Sequence, residues 1–139
     1  MSTQISQPTY NECRKVITRV FKKLRRKGRG GFWAKQNFPC CNNCGWNLIR
    51  YGGPNNAPLI GMNGRPMFNE AGELTQPCVW YHSQDNDMLK EEATVYLAWG
   101  GAAEHGQTIR RLFEEEGVTV DWDGTKTMRI GLHFGDSCH

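Results

Sequence analysis

No apolar run longer than a few residues occurs in these 139 residues, which excludes a membrane-spanning helix, since a span needs about 20 consecutive apolar positions. The first twenty residues carry Gln, Asn and Glu where a secretory leader would carry an apolar stretch, so the sequence predicts an intracellular, cytoplasmic protein. Carboxylates are nearly missing at the start: Glu12 is the single acid through Gly45, against ten lysines and arginines. No P-loop, G-x-S-x-G, H-E-x-x-H or dinucleotide-binding glycine pattern is present, so none of those chemistries is announced. There is no internal repeat and no low-complexity tract.

What is present begins with cysteine. In a reducing compartment six cysteines read as free thiols or ligands before they read as three disulfides, although the even count is also that of a secreted scaffold. A chain of this length buries a core without help from a metal, so any zinc would be a local staple. The cluster Cys40-Cys41-Asn42-Asn43-Cys44-Gly45 contains a C-x2-C pair followed by glycine, the form of half a zinc site: two thiolates three residues apart grip one tetrahedral cation from a tight turn. Cys78 and His82, spaced C-x3-H, supply the other half, giving Cys41, Cys44, Cys78 and His82 as the candidate ligands of zinc. Cys40 is the alternative to Cys41, and His133, Cys138 and His139 are alternatives to the second pair. The plainer reading is a set of buried cysteines, among the commonest interior residues.

Apolar residues Val16, Ile17, Val20, Phe21 and Leu24 form one stripe of an amphipathic helix over residues 10–27, with Asn11 as N-cap and a stop at Gly28. Its other faces are cationic. Residues 1–9 read as a flexible tail and 10–139 as a single α+β domain: basic helix and hinge to 30, a strand and Cys-rich knuckle over 31–50, a long Gly/Pro/Asn-rich loop over 51–77, and a sheet, helix and hairpin over 78–139. In that last part, strands are expected at 79–82 and 94–99, a helix at 102–116 ended by Gly117, and a β-hairpin from the alternating runs 118–122 and 128–134. The expected fold is therefore α+β, a mainly antiparallel sheet with one long packed helix, a C-terminal hairpin and a basic N-terminal helix.

Taken in order, Cys40-Cys41-x-x-Cys44-Gly45, Tyr81-His82-Ser83-Gln84-Asp85, Tyr96-Leu97-Ala98-x-Gly100, Glu116-Gly117-Val118-x-Val120-x-Trp122-Asp123-Gly124 and Arg129-Ile130 resemble a family of uncharacterised bacterial domains. That family has CC-x-x-CG, H-x-Q-D and C-terminal W-(N/D)-G motifs. The resemblance implies one domain over roughly 38–134 and no particular activity; the chain departs from it at Asn86-Asp87, where the family tends to Thr-Glu.

Three functional readings follow from the residues. The charge split, +9 through Gly45 and −6 beyond it, favours an anionic partner, a nucleic acid or an acidic protein surface, met by Arg14, Lys15, Arg19, Lys22, Lys23, Arg25, Arg26 and Lys27, with Phe32 and Trp33 near enough to stack on bases. The alternative for the same helix is packing against the acids Glu114, Glu115 and Glu116. A third arrangement is a Cys/His-dependent enzyme, with Cys44 as nucleophile, His82 as base and Asp85 orienting it; the bland reading of His82 and Asp85 is backbone capping at a strand end, and His105 reads as a solvated residue. The function expected from the whole is a small metal-stapled domain that engages a nucleic acid or a partner protein, as a regulator or inhibitor of a host system.

Overall fold

The structure, a computed structural model, describes residues 8–26, 31–38, 42–51, 59–126 and 128–135; within 42–51, side chains are described for 45, 46 and 48–50. Four helices and five strands follow one another as α1 (Tyr10–Arg25), β1 (Trp33–Lys35), α2 (Asn42–Tyr51), β2 (Cys78–Trp80), α3 (Ser83–Glu92), β3 (Thr94–Gly100), α4 (Ala103–Glu115), β4 (Thr119–Asp121) and β5 (Ile130–His133). The strands form one sheet in the order β1-β2-β3-β5-β4, parallel between β1 and β2 and antiparallel elsewhere.

Helix α1 starts where a capping box allows it. The Thr9 hydroxyl accepts the Glu12 N–H at 3.1 Å and the Glu12 carboxylate accepts the Thr9 N–H at 2.8 Å, so the cap is Thr9 rather than Asn11. The stripe is buried as its period requires: Cys13, Ile17, Val20, Phe21 and Leu24 have no exposed surface, and Val16 packs beside them. The helix ends at Arg25, because Arg26 turns to extended backbone.

Strand alternation divides the core in two. Val79 and Tyr81 face the layer made by α1, α3 and α4, together with Val95, Leu97, Trp99, Ile130 and Leu132. Cys78 and Trp80 face the other way, into a smaller core closed by Ile49, Trp46, Met67, Phe38 and Leu74. Residues 59–77 are accordingly a folded cover and not a loose insertion: Ile60 bridges to Pro66 and Phe68 to Leu74, and Met67 between them is fully buried. Gly64 and Gly72, at φ +79° each, take the left-handed turn conformations these two bends demand.

Of the expected knuckle, residues 42–45 belong to a helix, and Cys40 and Cys41 lie outside the described residues. Cys44 and Gly45 lie in α2, and glycine is there for packing: a Cβ on Gly45 would come within 2.1 Å of the Trp80 ring. Helix α3 replaces the expected turn after His82, and four helices stand where two were expected. The hairpin of β4 and β5 is as expected, with Val120 opposite Leu132, although β4 buries little and only Val120 packs on the core.

Gly45→Ala should therefore lower stability by about 1–3 kcal/mol in urea denaturation, the cost of overpacking. An unencumbered helical glycine would instead gain about 1 kcal/mol from alanine, so a gain would show that α2 does not pack on Trp80.

Candidate functional site

The cations of α1 divide by what the helix touches. Arg14 donates to Gln36 Oε1 at 2.6 Å and to the Tyr10 hydroxyl at 3.0 Å, and Arg25 donates to the Ala34 carbonyl at 2.6 Å, so both tie α1 to the segment around β1. Arg19 and Lys23 meet Glu116 at 2.8 and 3.7 Å, and the Arg19 hydrogen bond draws the Glu116 carboxyl below its ordinary range against partial burial. Glu114 pairs with Arg110 on its own helix. The expected neutralisation of α1 by three acids thus comes down to Glu116 among the described residues. Lys15, Lys22 and Arg26 are exposed and form no ion pair among the described residues. At 100° per residue they fall within about 40° of one another and span about 16 Å of helix. Lys27 lies outside the described residues.

The stacking role expected of Phe32 does not survive burial: its ring is fully covered, edge-on to His105 at 5.5 Å. Trp33 is half-buried against Phe38, ring centroids 5.2 Å apart.

A second polar cluster sits where β2 gives way to α3. His82 is the N-cap of α3: its Nδ1 accepts the Asp85 N–H at 3.1 Å, and its Nε2 lies 3.1 Å from Asp85 Oδ2. Asp85 also takes the guanidinium of Arg129, which donates in turn to the Tyr96 carbonyl. Desolvation pushes the His82 pKa below its ordinary 6.5 and Arg129 pushes the same way, while Asp85 opposes them. Beside this cluster, the Tyr10 hydroxyl donates to Asn86 and the Tyr81 hydroxyl to Gln36, linking α1, α3 and the end of β2. Arg129, Gln36 and Tyr10 were not singled out by the sequence; Arg129 was legible only as part of a family motif.

The enzyme arrangement needs His82 free to take a proton, and here both ring nitrogens are engaged by Asp85. Cys78 is buried in the smaller core, and His82 caps α3 against Asp85. Burial pushes the Cys78 thiol up to about 12 and the Cys13 thiol to about 11. Cys40, Cys41, Cys138, His139 and the side chain of Cys44 lie outside the described residues; among the described residues no three His, Cys, Asp or Glu side chains are grouped to hold a metal ion.

A family model described as a domain of unknown function, DUF6891, matches residues 3–135. The chain belongs to that family. No curated protein and no solved structure shows a significant match. The DUF6891 match spans the nine strands and helices of the described residues, so the cationic face of α1 and the His82 corner both lie within the family's own domain. No helix among the described residues is long and apolar enough to cross a membrane.

The His82 corner makes stability depend on pH with a definite sign. A histidine whose pKa is lowered by folding favours the neutral form, so its contribution is complete above 6.5 and is lost as pH falls through the folded value. His82→Asn keeps an N-cap acceptor and removes the titration. The expected result is a melting temperature that falls less steeply below pH 6.5 in the variant than in the parent; identical acid limbs would show that His82 does not titrate with folding.

Proposed function

We propose that this DUF6891 domain is a binding module that lays the outer face of α1 along a polyanion, with the phosphate backbone of a nucleic acid as the partner of that chemistry. The observation that carries this reading is the outward line of Lys15, Lys22 and Arg26, exposed and without ion pairs among the described residues, with Arg19 beside it still more than half exposed. Cations so placed can each neutralise a phosphate and release a counterion, which gives affinity without base reading. With Phe32 buried and Trp33 against Phe38, no stacking contributes, so the expected binding is independent of sequence.

Replacing Lys15, Lys22 and Arg26 together by Gln should leave the fold intact, since none of them forms an ion pair or a side-chain hydrogen bond among the described residues. In fluorescence anisotropy with a short labelled duplex, the logarithmic salt slope should fall by about 2 to 3, at about 0.9 per lost phosphate contact. An unchanged slope, or no duplex binding at low salt in the parent, would sink the proposal; preference for an acidic peptide over the duplex would move the partner to a protein surface.

Zinc enters this reading as a staple held by Cys41 and Cys44. Its support is that Cys44 sits in the first turn of α2, where the helix N-terminus favours a thiolate, and that Cys41 immediately precedes the helix in sequence. Purified protein should carry about one zinc per chain and lose it on Cys44→Ser, together with thermal stability. Metal-free parent protein of unchanged stability would end this part.

A further inference from the structure

Between the end of β3, the start of α4 and residues 74–77 lies a cavity of about 460 Å³, well within the range of small-molecule sites. Its walls are apolar where Leu74, Pro77 and Trp99 line it, and cationic or donating where Lys126 and His105 do; no carboxylate lines it. A neighbouring cavity of about 510 Å³ shares Thr75, Gln76 and Pro77 with it and adds Arg25, again without a carboxylate. In a chain with fourteen acids, two adjoining cavities free of them make an electropositive recess.

The donors are set in advance. His105 Nδ1 accepts the Ala102 N–H at 2.9 Å, which places the proton of a neutral ring on Nε2, and that N–H has no acceptor among the described residues. The ring is fixed by its edge-on contact with Phe32 and by Gly101, whose φ of +137° only glycine adopts readily and whose Cβ would lie 2.7 Å from Nδ1. Lys126 is exposed and likewise unpaired among the described residues. His105 is therefore not the plain solvated residue expected from sequence.

We infer that this cavity binds a small organic anion, its carboxylate or phosphate received by Lys126 and His105 and its apolar body held against Leu74, Pro77 and Trp99. Inorganic phosphate alone would leave the apolar walls unused, and a neutral aromatic would leave both donors unmet. The site is separate from the outer face of α1, and the proposal stands whether or not α1 binds a polyanion.

The test is an amide and indole NMR titration of the full chain with phenyl phosphate, benzoate, benzyl alcohol and inorganic phosphate at fixed ionic strength. Phenyl phosphate or benzoate should shift the Trp99 indole N–H and the His105 amide, and the tighter of the two names the head group. Lys126→Gln should weaken that ligand at least about tenfold without changing the melting temperature. Ala102→Leu, which narrows the cavity, should weaken it too. The triple Gln variant of Lys15, Lys22 and Arg26 should bind it unchanged. The inference is overturned if neither anion shifts these resonances, if benzyl alcohol or inorganic phosphate binds as tightly, or if Lys126→Gln has no effect.

Discussion

Burial of one face of α1 against the sheet decides what its other faces can do. Each of Ile17, Val20, Phe21 and Leu24 is fully covered, worth about 1.5–3 kcal/mol apiece, whereas the half-exposed pairing of Arg19 with Glu116 is worth at most about 1 kcal/mol. Packing therefore sets the rotation of the helix, and the charges follow. With Ile17, Phe21 and Leu24 turned inward, Lys15, Lys22 and Arg26 are carried to the far side by helical geometry alone, and Arg14 and Arg25 are carried to the flank, where Gln36 and Ala34 receive them.

The smaller core on the opposite side of the sheet sets a different constraint, close approach. Trp80 meets Trp46 and Phe38 edge-on at 5.5 and 5.9 Å, and Gly45 gives α2 the clearance to sit on the same ring. The folded 59–77 segment completes the enclosure through Met67 and Leu74. That cover also forms one wall of the recess lined by Trp99 and Lys126, so the packing that buries Cys78 shapes the cavity next to it.

Elements with a regular apolar period were legible in the sequence: α1, β3, α4 and the β4/β5 pair all lie where alternation or the helical stripe put them. Helix α3 was not, because its buried face is Asp85, Asn86 and Leu89, held by hydrogen bonds and an ion pair that leave no apolar period to read, and because it stops at Ala93 in the left-handed conformation without a glycine. Helix α2 was masked by its own cysteines: Cys44-Gly45 has the form of a knuckle, and only the position of the Trp80 ring reveals what the glycine accommodates. For the candidate site, sequence gave the identity of the cations but not their division, since Glu116 and the Ala34 carbonyl become partners only through tertiary contacts. The recess left no sequence signal, because its lining comes from four separate segments.

Burial and pairing decide how the titratable groups behave. A thiol raised to about 11 or 12 is ionised at neutral pH in roughly one molecule in ten thousand or fewer, so Cys13 and Cys78 behave as apolar side chains. Asp85 is engaged by His82, by Arg129 and through its own N–H, while the Arg129 Nε–H beside them is buried without an acceptor. Such a corner holds α3 to the end of β2 and to the strand that begins after Arg129. Groups without ion pairs among the described residues are of both signs: the cations Lys15, Lys22, Arg26 and Lys126, and exposed acids such as Asp87, Glu91, Glu92 and Glu104. What sets the α1 cations apart is their alignment on one face, and the proposed polyanion contact rests on that alignment.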